Sequence, residues 1–76
     1  MPPFNYKGFG ITARTFQIRG SGRWTLDILI SRHQGLRSFT GQSTYDTEAH
    51  AIAGCREFGQ RIIDGQVRDC SVDDLS

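Results

Sequence analysis

The chain has 76 residues, a formal net charge of +1, and 37% apolar and 22% charged side chains, which excludes a second core, an intrinsically disordered segment and a polycation. A chain this short buries only about 60–65% of its unfolded surface, so a partner subunit, a metal or a disulfide would add needed support. The charge is nonetheless divided: residues 1–45 carry six cations against one acid (+5), and residues 46–76 carry three cations against seven acids (−4). The expectation is a single domain over residues 1–76, with a frayed start at 1–5, a sheet over 6–45, a helix over 46–65 and an acidic tail over 66–76.

Met1 to Asn5 has neither an apolar run nor a basic leader, so no signal peptide is expected. No stretch approaches the ~20 apolar residues of a membrane span, which makes the cytoplasm the expected compartment. Pro2-Pro3 disfavours regular structure at the start. From Tyr6 to Ile18 the alternation reads as one strand. Lys7, Phe9, Ile11 and Ala13 share one parity and Phe16 and Ile18 the other, so a bulge or bend is expected near Arg14-Thr15. Gly20-Ser21-Gly22 supplies a turn. Trp24 to Ser31 is the clearest strand, with Trp24, Leu26, Ile28 and Ile30 on one face. His33-Gln34-Gly35 turns the chain into a third strand, Leu36 to Gln42.

Asp46 or Thr47 is placed to cap a helix, and Glu48 suits the positive end of its dipole. Ala51, Ile52, Cys55, Phe58, Gly59, Ile62 and Ile63 form one apolar stripe at helical spacing, and Gly65 stops the run. Gly59 within the stripe suggests close approach to an aromatic ring, Trp24 or Phe39. Val67, Val72 and Leu75 are the tail residues able to pin it. The fold class is therefore α+β: a three-stranded antiparallel meander, order 1-2-3, with one C-terminal helix packed across one face. The core is expected to hold Trp24, Leu26, Ile28, Ile30, Phe39, Ile52, Cys55, Phe58, Ile62 and Ile63, with some of Phe9, Ile11 and Phe16.

The run Tyr6-Lys7-Gly8-Phe9, the turn before Trp24, the segment Tyr45-Asp46-Thr47-Glu48-Ala49 and the helix end Phe58 to Gly65 resemble a family of short, uncharacterised bacterial β-β-β-α proteins, which often finish in a segment like Cys70 to Leu75. The resemblance implies a fold and names no site. A looser likeness is to HicB-type antitoxin domains, from which this chain departs in lacking a separate DNA-binding segment and an acidic first hairpin.

Chemistry-bearing residues form no catalytic constellation. His33, His50, Cys55 and Cys70 have no paired metal-ligand spacing, and His50 and Cys55 lie about 140° apart around a helix, so no metal or other cofactor is expected. Cys55 and Cys70 are read as thiols, with a disulfide as the alternative in an oxidising medium. Neither glycine pair opens a helix or precedes a Gly-Lys-Ser/Thr, so no phosphate loop is expected. A non-enzymatic role follows. The basic first half is the strongest functional signal: Lys7, Arg14, Arg19, Arg23, Arg32 and Arg37 lie on strands or at hairpin ends, interleaved with Tyr6, Phe9, Phe16 and Trp24. An open sheet face with Leu29 and Leu36 suits a protein partner or a second copy. Cations and rings on that face suit single-stranded nucleic acid. A protein-binding or self-associating module is the leading expectation and a nucleic-acid-binding module the alternative.

Overall fold

The run from Tyr6 to Ile18 that reads as one bent strand holds one full strand, Phe9–Ala13, and the end of a shorter one that begins at Phe4. The computed structural model describes residues 3–72. In it, β1 (Phe4–Tyr6) turns at Lys7-Gly8 into β2 (Phe9–Ala13), followed by β3 (Trp24–Arg32), β4 (Gly35–Tyr45) and the helix α1 (Glu48–Ile63). The fold is α+β, an antiparallel meander with one helix, but the sheet has four strands in the order β1-β2-β3-β4 rather than three. Lys7 (φ 51°) and Gly8 (φ 85°) supply the two positive angles of a tight hairpin. A lysine in that first position gives no turn signal, because an L side chain is strained there. Its ammonium is anchored instead, 2.6 Å from Asp64 Oδ1. Phe4 and Asn5, expected to be frayed, thus lie in a strand; Met1 and Pro2 lie outside the described residues.

Regular pairing loosens after Ala13, where the parity changes. The Arg14 amide still donates to the Asp27 carbonyl at 2.8 Å. Thr15 Oγ1 then donates to the Thr25 carbonyl, and the Phe16 amide ends on Thr25 Oγ1. A single bridge joins Gln17 to Trp24. Gly20 and Gly22 take the positive φ expected of the turn that follows.

Thr47 is the helix cap: its side chain accepts the His50 amide. The helix ends as read. Asp64 is the C-cap, Gly65 takes φ 75°, its amide donates to the Ile62 carbonyl, and the Gln66 amide donates to the Arg61 carbonyl, a Schellman closure. The helix buries Ala51, Cys55, Gly59 and Ile62, spaced four, four and three residues apart.

That stripe meets Phe9, Ile11, Leu26, Ile28 and Ile30 from β2 and β3, with Val72 completing the buried cluster. Phe39, Phe58, Ile63 and Val67 are half-buried against it. Of Phe9, Ile11 and Phe16 the first two join the core, and two core expectations change, Trp24 and Ile52. Phe16 is 57% exposed, because the loosened segment carries it off the sheet. Trp24 and Ile52 are half-buried and stand outside the cluster. Gly59 faces Ile11 rather than a ring. Val67 and Val72 do pin the tail; Asp73, Asp74 and Leu75 lie outside the described residues.

Candidate binding surface at the β4 edge

Helix α1 packs over β3 and β2 and touches β4 sparsely. β4 is the longest strand of the sheet, 11 residues, and it is an edge. Its outward amides and carbonyls face no strand among the described residues, a template for another extended chain. The opposite edge, β1, has only 3 residues, and the Arg56 guanidinium lies 5.1 Å over its Phe4 ring.

The two halves of β4 differ. From Gly35 to Thr40 it pairs with β3 in continuous register. The register then shifts, so that Thr40 opposes Asp27 while Thr44 opposes Thr25, and Gly41 to Ser43 span the width of Leu26. Arg23 braces this irregularity. Its guanidinium donates to Thr44 Oγ1 at 2.6 Å and to the Thr44 carbonyl at 2.9 Å, and it pairs with Asp46.

A groove of about 730 Å³ runs between this half of β4 and α1. Leu26, Tyr45, Phe58 and Val67 contribute apolar lining, with Arg23, Asp46, His50, Glu57 and Arg61 around them. The charges at its rim are matched within the chain, Arg23 with Asp46 and Arg61 with Glu57 at 2.8 Å. Two glycines set the shape. A Cβ at Gly41 would press on the Leu26 side chain, and one at Gly54 would overlap the Tyr45 ring. Neither glycine takes part in a turn. Their need is close approach, a signal the sequence carries but does not locate.

Across the sheet from the helix, the register puts Thr12, Leu29 and Ser38 in one row and Ser31 and Leu36 in the next. This face is mainly hydroxylic, and Leu36 is 62% exposed on it.

The six cations singled out from the sequence are dispersed. Lys7 pairs with Asp64 at the helix C-terminus. Arg14 lies 3.5 Å from Asp27, and Arg23 braces β4. Arg32 lies 4.7 Å over the Phe9 ring, and Phe9 belongs to the core. Arg37 opposes Ile30, which places it on the helix side of β4. Arg19 is exposed in the turn before β3. The partners named for Lys7, Arg14, Arg23 and Arg32 are four different groups: Asp64, Asp27, Asp46 with Thr44, and the Phe9 ring.

The perturbed titrations are local. Asp64 accepts hydrogen bonds from Lys7 and Tyr6, which hold its carboxyl below the ordinary carboxylate value and raise both donors. Burial pushes the Cys55 thiol up, and its Sγ donates to the Asp27 carbonyl at 3.5 Å. Cys55 and Cys70 are free thiols.

The chain matches no protein-family model, no curated protein and no solved structure. No helix among the described residues is long and apolar enough to cross a membrane.

Proposed function

We propose that the protein is a non-catalytic module, working in the cytoplasm, that binds protein by accepting an extended strand along β4. The observation that carries this reading is the sheet's longest strand standing at its edge, flanked by a groove because the helix sits over β2 and β3. Strand addition uses main-chain hydrogen bonds for affinity and side-chain pockets for selectivity, and this edge offers a run of outward main-chain groups beside one groove. The matched rim charges favour an uncharged side chain in the groove. The dispersal of Lys7, Arg14, Arg19, Arg23, Arg32 and Arg37 gives nucleic acid, the second reading, no continuous track of charge.

Panning a random linear-peptide library on the immobilised protein tests the proposal. The expected result is enrichment of extended sequences with alternating apolar residues, whose binding shifts the backbone amides of Gly35 to Tyr45. Enriched peptides that shift amides elsewhere would overturn it. So would an unproductive library beside salt-sensitive shifts of the strands with short RNA and DNA.

A further inference from the structure

We propose that β4 also receives β4 of a second copy, giving a two-fold dimer with one continuous eight-stranded sheet and Ser38 on the axis. The inference rests on reading β4 as a strand-accepting edge and names one occupant for its regular half. Of the usual safeguards the edge carries two, the irregularity at Gly41 to Ser43 and the single charge of Arg37. β4 contains no proline and no lysine, and Arg37 is its one charged residue. Its irregularity lies at Gly41 to Ser43, so Gly35 to Thr40 is left as an edge in regular register. The helix does not roof this flank, so a second sheet can approach in plane. A chain of 76 residues also has little core of its own.

Geometry leaves few registers. A two-fold axis normal to the sheet brings residue i beside residue j only where both point to the same face, so the axis must pass through a residue paired with itself. An axis at Leu36 runs the pairing into the His33-Gln34 turn, and one at Phe39 runs it into the irregular stretch. An axis at Arg37 sets two like charges directly opposite, which is destabilising. An axis at Ser38 places each Arg37 beside Phe39 of the other copy on the helix side. On the open face it places each exposed Leu36 beside Thr40 of the other copy. Two symmetric cation–ring pairs then replace one charge clash, so the single charge on the edge selects the register.

Light scattering after size-exclusion, together with crosslinking through one introduced cysteine in a Cys70→Ser background, tests this; buried Cys55 stays in place. The expected mass is twice 8.5 kDa at micromolar concentration or above. Mild oxidation crosslinks Ser38→Cys fast, and Leu36→Cys or Thr40→Cys alone slowly, whereas a mixture of the last two gives a mixed dimer. Arg37→Glu weakens association by about tenfold, and Arg37→Lys does so less. A monomer up to millimolar concentration overturns the dimer and leaves strand addition standing if library peptides still shift β4. A dimer in which Ser38→Cys does not crosslink overturns the register. Failure of the peptides in a protein shown to be monomeric overturns the reading beneath both.

Discussion

Gly59→Ala isolates the contact that sets the distance between helix and sheet. A Cβ at Gly59 would lie 2.7 Å from Ile11 Cδ1, 2.8 Å from Cγ2 and 3.0 Å from Cγ1. Ile11 is 2% exposed and held within the core cluster, so it has little room to retreat. Overpacking of this kind costs about 1–3 kcal/mol, and the better helix propensity of alanine offsets about 1 kcal/mol. The net expectation is a loss of about 1 kcal/mol, or a Tm lower by ~4–8 °C for a domain of this size. Ala53→Gly, on the exposed side of the same helix, calibrates the propensity term alone at about 1 kcal/mol. Ile11→Val removes the nearest of the three atoms, so Gly59→Ala should cost less in that background, by ~0.5 kcal/mol or more. Thermal and urea unfolding of the four proteins in the cycle supply the numbers. A Gly59→Ala protein as stable as the parent, with no coupling to Ile11, would show that the helix slides freely and that close approach there is no constraint.

Gly54→Ala should be far milder, because the obstructing atoms belong to the Tyr45 ring at the end of a side chain that can swing into the groove; a changed Tyr45 ring signal at nearly unchanged Tm is expected. Asp64→Asn should flatten both ends of the pH–stability profile. The parent's Asp64 carboxyl is depressed, so its contribution is present above the ordinary carboxylate value of 3.8 and fades as pH falls through the folded pKa. Lys7 and Tyr6 are raised, so theirs is present below 10.5 and 10.0 respectively and fades as pH rises through the folded values; thermal melts across pH would show either flank unchanged if the cluster contributes nothing. Thr47→Ala should lower stability by about 1 kcal/mol and speed exchange of the His50 amide, and an unaltered exchange rate would refute the cap's role. In the native protein, alkylation near neutral pH should reach Cys70 well before the buried, raised thiol of Cys55, as mass spectrometry of timed samples would show.

The legible parts of the fold are those where one local signal decides the outcome. Thr47 caps because its oxygen faces a free amide, and Gly65 closes the helix because it tolerates positive φ. Leu26, Ile28 and Ile30 declare the buried face of β3 by alternation alone. The first hairpin was illegible because Lys7 occupies a turn position normally marked by Asn, Asp or Gly, and the interaction that holds it comes from Asp64, 57 residues away in sequence. The neighbour of Gly59 is not legible for a related reason: helical spacing marks the glycine as a close approach, but which core side chain it meets, Ile11 rather than a ring, depends on how the helix crosses the sheet. The length of β4 was hidden by its irregularity, since Gly41 to Ser43 interrupt the alternation that Thr44 and Tyr45 resume. The candidate surface inherits that limit. Cations can be counted in a sequence, but an edge is a property of strand order.

The fourth strand also explains why the helix leaves β4 uncovered. A single helix is about 10 Å across with its side chains, whereas four strands at about 4.8 Å spacing span roughly 14 Å between the outer backbones, so one helix cannot roof the whole face. The deepest apolar residues decide which strands it takes. Ile11 on β2 and Ile28 and Ile30 on β3 are nearly inaccessible, and Gly59 lets the helix settle onto Ile11. β1 is tied to the helix through Tyr6 and Lys7 at its C-terminal end. β4 meets it through the Tyr45 ring against Gly54 at one end, with Phe39 at the margin of the core. The groove and the uncovered flank of β4 therefore have one cause, the helix's bias toward Ile11, while strand order makes that flank an edge. A substitution that moves the helix toward β4 should narrow the groove and weaken strand addition together, which ties the packing at Gly59 to the binding proposed for β4.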